Sequence, residues 1–99
     1  MAYMYVTEYQ GLGQDPNGSV QAVAAPPLVE QPRVAIGGAS AASAAFGPNT
    51  TVVRIEVDTI CSVNIGGVAA TVNSGRMVAG QTEYFRVAPG QVANVISNS

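Results

Sequence analysis

Ninety-nine residues is the length of one small domain. Apolar residues make up 47% of the chain and charged residues only 10%, against about 25% charged in an average soluble protein, which predicts that a partner covers part of the surface. A net charge of −2, with four Lys or Arg, six acids and no histidine, argues against a phosphate-binding basic face and removes both the usual general base and the commonest metal ligand.

In chain order, residues 1–9 place Tyr3, Tyr5 and Tyr9 on one parity and Met4 and Val6 on the other. Successive strand residues point to opposite faces, so this is a strand or extended arm with an aromatic face. Three of the chain's four tyrosines fall here, and tyrosine is favoured at interfaces for its apolar area and polar tip. Two readings stand: an N-terminal arm docked on a neighbouring subunit, or an edge strand packed on its own domain. Deleting residues 1–9 is expected to weaken partner binding and leave the β-core folded.

Residues 10–19 read as a loop whose centre, Asp15-Pro16-Asn17-Gly18, is a strong turn. Gly11-x-Gly13 lacks the third glycine, the lysine and the following helix of a phosphate loop. Residues 20–25 suit a short strand. Pro26-Pro27 and Pro32 bracket Leu28 to Gln31 as an extended linker. Arg33 to Ile36 suits a short strand closed by Gly37-Gly38, and the Ala/Ser run from Ala39 to Ala45 suits a loop or short helix.

From Thr50 the chain alternates. Val53, Ile55, Val57, Thr59, Cys61, Val63 and Ile65 share one parity, with Arg54, Glu56, Asp58, Ser62 and Asn64 on the other. Strands are predicted over 51–57, 60–65, 68–72, 76–78, 82–87 and 92–96, with turns at Asn73-Ser74-Gly75, Ala79-Gly80 and Pro89-Gly90. In the 82–87 strand, Phe85 and Val87 are the inward pair. Short strands at this spacing predict an all-β domain: a single small antiparallel β-sandwich or jelly-roll-like barrel over 20–99 with an extended N-terminal arm and loop over 1–19.

All four cations are arginines (Arg33, Arg54, Arg76 and Arg86), the cation suited to interface ion pairs, with Glu8, Glu30, Glu56 and Glu83 as available partners. The single cysteine, Cys61, permits no intrachain disulfide and reads as a buried hydrophobe. No cofactor or metal is expected. A carboxylate pair such as Glu56 with Glu83 reads as a solvated face rather than a glycosidase pair. Nothing reads as a membrane span or secretory signal.

Two stretches, Asn49 to Gly66 and Arg76 to Ile96 with its Ala79-Gly-Gln-Thr-Glu-Tyr-Phe85 and Pro89-Gly90, resemble small virion proteins encoded among tailed-bacteriophage head genes. The resemblance covers about the C-terminal half. It implies a non-enzymatic β-sandwich on the capsid exterior, a decoration (cement) protein or short spike, assembled in the bacterial host cytoplasm. The implied partners are the major capsid protein and further copies of the chain, as a dimer or trimer. Expected contact residues are Tyr3, Tyr5, Tyr9, Leu28, Val29, Arg33 and Phe46, within an arm and the segment from Pro26 to Phe46. The alternative is a carbohydrate- or receptor-binding module on a tail or head fibre. An exposed tyrosine cluster around a pocket would favour that alternative, and buried or subunit-spanning tyrosines the capsid reading. A small-barrel enzyme is disfavoured by the missing histidine.

Overall fold

A computed structural model describes the backbone of residues 2–10, 12–14, 20–24 and 29–98, and the side chains of 2–10 and 29–98. The turn at Asp15 to Gly18, Gly11, the Pro26-Pro27 pair and Leu28 lie outside these residues. β1 (Ala2–Tyr9) is antiparallel to β7 (Val52–Val57) on one side and to β4 (Val29–Glu30) and β5 (Val34–Ile36) on the other. β10 (Thr82–Arg86) pairs with the far side of β7 and forms that edge. The second sheet runs in the order β6 (Ala41–Ala42), β11 (Val92–Ser97), β8 (Cys61–Gly66), β9 (Gly75–Met77). β2 (Leu12–Gln14) and β3 (Val20–Ala24) pair separately. No helix occurs among the described residues.

The two sheets bury one parity of each strand between them, as a β-sandwich does. Met4 and Val6 of β1 and Val53, Ile55 and Val57 of β7 meet Cys61 and Val63 of β8 and Ala93 and Val95 of β11 in one cluster. The alternation from Val53 to Ile65 thus spans two strands in different sheets. The 58–60 bend carries the chain across, and the apolar parity points into the core on both sides. Phe85 packs partly buried against this core and Val87 is buried in it.

The next two crossings share one construction. Val78-Ala79-Gly80-Gln81 takes the chain from β9 to β10, and Ala88-Pro89-Gly90-Gln91 takes it back from β10 to β11. Each is closed by a bond from the glutamine N–H to the carbonyl three residues earlier, 3.0 and 3.3 Å. Each glycine has positive φ, +81° and +84°, the geometry that a type II turn demands at its third position. Each glutamine Oε1 then accepts the N–H of the first turn residue, at 3.0 and 2.8 Å.

Four expectations differ from the structure. Residues 2–9 are an interior strand paired on both sides and inserted in the core, neither a free arm nor an edge. Residues 68–72 are a loop lying against the second sheet. Of the loop or short helix expected over 39–45, no helix forms: the segment is irregular but for β6, held at the edge of the second sheet where the Ser43 N–H donates to the Ala93 carbonyl and its hydroxyl accepts the Ala93 N–H. Leu12–Gln14, expected as loop, forms a short ladder with β3.

Candidate functional site

The outward parity of the first sheet gathers the chain's most interface-prone residues. With Met4, Val6, Val53 and Ile55 turned inward, Tyr3, Tyr5, Thr7 and Tyr9 of β1 and Val52, Arg54 and Glu56 of β7 turn outward. Cross-strand register adds the rest. Thr7 lies between Glu30 and Arg54, and Arg54 lies between Thr7 and Tyr84. Tyr5 is opposite Glu56, which is opposite Thr82, and Val52 lies between Tyr9 and Arg86. The Arg33 guanidinium sits 3.9 Å above the Tyr3 ring centroid, and the Tyr9 and Tyr84 rings approach to 6.4 Å. All four tyrosines and three of the four arginines therefore occupy one sheet face. Arg76 alone lies elsewhere, on β9.

Thr7 makes this face concave. It is a small side chain flanked along β1 by Tyr5 and Tyr9 and across the sheet by Glu30 and Arg54. A shallow depression of about 350 Å³ results, bordered by Tyr5, Glu30, Gln31, Arg54 and Glu56. Tyr5 stands 39% exposed beside it, whereas Tyr9 is buried.

The inner parity of β1 ends in a charge. Glu8 is 2% exposed, but both of its oxygens are satisfied. Oε1 accepts from the Thr50 hydroxyl at 2.6 Å and the Gly47 N–H at 2.8 Å, and Oε2 accepts from Gln31 Nε2 at 2.8 Å. Burial pushes the Glu8 carboxyl up, yet the three donors outweigh it and leave the pKa below its ordinary value. Gln31 also bonds both backbone groups of Ala44. Glu8 thus ties β1 to the β4–β5 connection and to the 43–50 segment, which makes it a structural anchor.

The outer face of the second sheet is built differently. Ser62 and Asn94 are buried there. The 66–74 loop lies over them, held by Asn64 Nδ2 to the Val68 carbonyl (3.0 Å), Asn98 Nδ2 to the Val72 carbonyl (3.1 Å) and the Ala70 N–H to Ser40 Oγ (2.9 Å). Val68 and Val72 are exposed on it, and residues 59–75 contain no charge. The polar parity of β8 therefore binds a loop rather than water.

Of the expected contact residues, Tyr3, Tyr5, Tyr9 and Arg33 lie together on the first sheet's outer face, and Val29 is exposed on the adjoining β4. Phe46 is corrected: at 3% exposure it is core, and no partner can reach it. Leu28 lies outside the described residues. Arg54, Tyr84, Glu30 and Glu56 were missed as members of the face. The outward parity of Arg54, Glu56 and Tyr84 was legible in the sequence; that of Glu30, in a stretch read as a linker, and the pairing of β1 with β7, about 50 residues apart, were not.

Among the described residues, no three His, Cys, Asp or Glu side chains converge as a metal site, and no helix is long and apolar enough to cross a membrane. No protein-family model, curated protein or solved structure matches the chain.

Proposed function

We propose that this protein is a non-enzymatic virion component that binds the exterior of a tailed-phage capsid, touching the major capsid protein and its own copies as a homo-oligomer. One observation carries the reading: tyrosine and arginine, the residues most enriched in protein interfaces, are gathered on one face of a rigid sheet. A face already ordered by strand pairing loses little conformational entropy when it docks. Many copies that bind only the assembled lattice shift the equilibrium towards the intact shell. The resemblance of the C-terminal half to phage head proteins supplies the setting.

The test is size-exclusion with light scattering on the purified protein, then co-sedimentation with undecorated phage capsids. An oligomer that pellets with the shells supports the reading; a chain that stays in the supernatant at every ratio overturns it. The depression beside Tyr5 favours a second reading, a carbohydrate-binding module. Arg54 supplies donors, Glu30 and Glu56 supply acceptors, and the Tyr5 ring supplies a platform. Saturation-transfer NMR against a glycan panel, repeated with Tyr5→Ala, separates the two.

A further inference from the structure

We propose that the outer face of the first sheet pairs with the same face of a second copy, about a two-fold axis running parallel to β1. The proposal rests on the homo-oligomer in the reading above and names its interface.

The sign pattern across β1 carries it. At the level of Thr7, Glu30 stands on the β4 side and Arg54 on the β7 side. Towards the start of β1 the signs reverse. Glu56 is opposite Tyr5 on the β7 side. Arg33 stands on the β5 side, next to Val34, the partner of Met4, with its guanidinium over Tyr3. These four charges thus alternate about β1, minus to plus at one level and plus to minus towards its start, while Arg86 stands apart on β10 opposite Val52.

A two-fold axis parallel to β1 exchanges left for right and keeps the level. It sets Glu30 over the partner copy's Arg54, and it brings Glu56, level with Tyr5, to the side of the partner copy's Arg33, whose guanidinium lies one outward residue away over Tyr3. Each match occurs twice, and the outward residues of β1 lie along the axis. The other in-plane axis, perpendicular to the strands, sets Glu30 on Glu30 and Arg54 on Arg54 when it passes through the Thr7 level, a like-charge contact that is strongly disfavoured, and sets Arg54 on Glu56 when it passes midway to Tyr5. The face is therefore self-complementary for an isologous pairing, and only the axis parallel to β1 sets position 30 over position 54, the match that a mixture of charge-swapped copies reads.

Its size sets the expected strength. Eight residues of β1 at about 3.4 Å each, and four strands at about 4.8 Å, outline about 500 Å² per copy. Two such faces bury about 1,000 Å², the lower end of specific interfaces. A dimer of this size, matched by exposed ion pairs, weakens with salt, because at 1 M the screening length falls to about 3 Å. The shell-binding surface then falls to the rest of the molecule, including the uncharged loop over the second sheet.

Sedimentation velocity tests it with Glu30→Arg and Arg54→Glu, both changes on the outer surface, each variant first checked for a wild-type circular dichroism spectrum and melting transition. The wild type is expected to dimerise at low salt, with at least a tenfold weaker association at 1 M NaCl. Each variant alone is expected to be monomeric, since its altered residue then meets a like charge. An equimolar mixture of the two is expected to recover the dimer, because opposite charges face each other again at both positions. A wild type that is monomeric at all concentrations, a dimer indifferent to either substitution, or a mixture that stays monomeric overturns the proposal. If a substitution unfolds the chain, the wild-type salt series together with Glu56→Arg and Arg33→Glu decides it by the same criteria. Co-sedimentation with shells is scored separately. A monomer that still binds shells refutes this interface and leaves the capsid reading standing, and a dimer that ignores shells does the reverse.

Discussion

Glu8 is a charge on the inward parity of a core strand, tolerated because three donors replace the water it lost. Its folded pKa lies below the ordinary value of the unfolded chain, so it contributes stability at neutral pH. That contribution is complete above the unfolded pKa and is lost as the pH falls through the folded one. Thermal melts from pH 7 to pH 3 should show a steeper loss for the wild type than for Glu8→Gln. At pH 7 the same substitution is expected to lower stability by about 1–3 kcal/mol in urea denaturation, because an amide nitrogen then faces the Gln31 amide. Parity alone shows that Glu8 points the same way as Met4 and Val6. The partners that make it tolerable, Gln31, Gly47 and Thr50, lie 23 to 42 residues along the chain, and no local pattern reveals them.

At the scale of elements, β1 decides the fold. It joins β7 to β4 and β5, and it inserts Met4 and Val6 between the sheets. Deleting residues 1–9 is therefore expected to abolish the cooperative unfolding transition, read by circular dichroism; a truncated chain that still melts cooperatively would contradict this placement. The two glycine turns are a second element-level device. At Gly80 or Gly90, a Cβ meets no neighbour but is forced to positive φ. Alanine at either is expected to lower stability by about 1–2 kcal/mol, and the double variant by about the sum, as is usual for separated sites. Ala79-Gly80 and Pro89-Gly90 were legible as turns from composition. That Gln81 and Gln91 close them identically was not, since glutamine three residues on is no recognised turn signal. Alternation made β7, β8, β10 and β11 legible to within a residue. Val68 to Val72 misled because its valines resemble a strand, while the Asn and Ser side chains that hold it as a loop lie on other elements.

At the scale of the whole molecule, Cys61 reports on integrity. It is fully buried, and burial, reinforced by the nearby Asp58 charge, pushes its thiol pKa up. Its reaction with a thiol reagent is expected to be negligible in the folded protein and to rise in step with global unfolding across a urea series. Labelling well below the transition would reveal a local opening of the sandwich. The division of the chain into two sheets was not legible, because alternation names the buried side of a strand but not the sheet it joins. The outward face of the first sheet was visible only as separate residues, Tyr3 and Tyr5 in one place and Arg54 and Tyr84 in others.

The pairing of β1 with β7 also sets a timetable for synthesis. Tyr9 lies opposite Val52, so more than 40 residues must be added before that partner exists, about 2–10 s at ~5–20 residues per second. Through that interval the nascent chain holds a strand of Met4, Val6 and three tyrosines without its principal mate. A chaperone that captures extended aromatic segments has its opportunity there. Slower translation across residues 10–50 is expected to lengthen that exposure and lower the yield of folded protein.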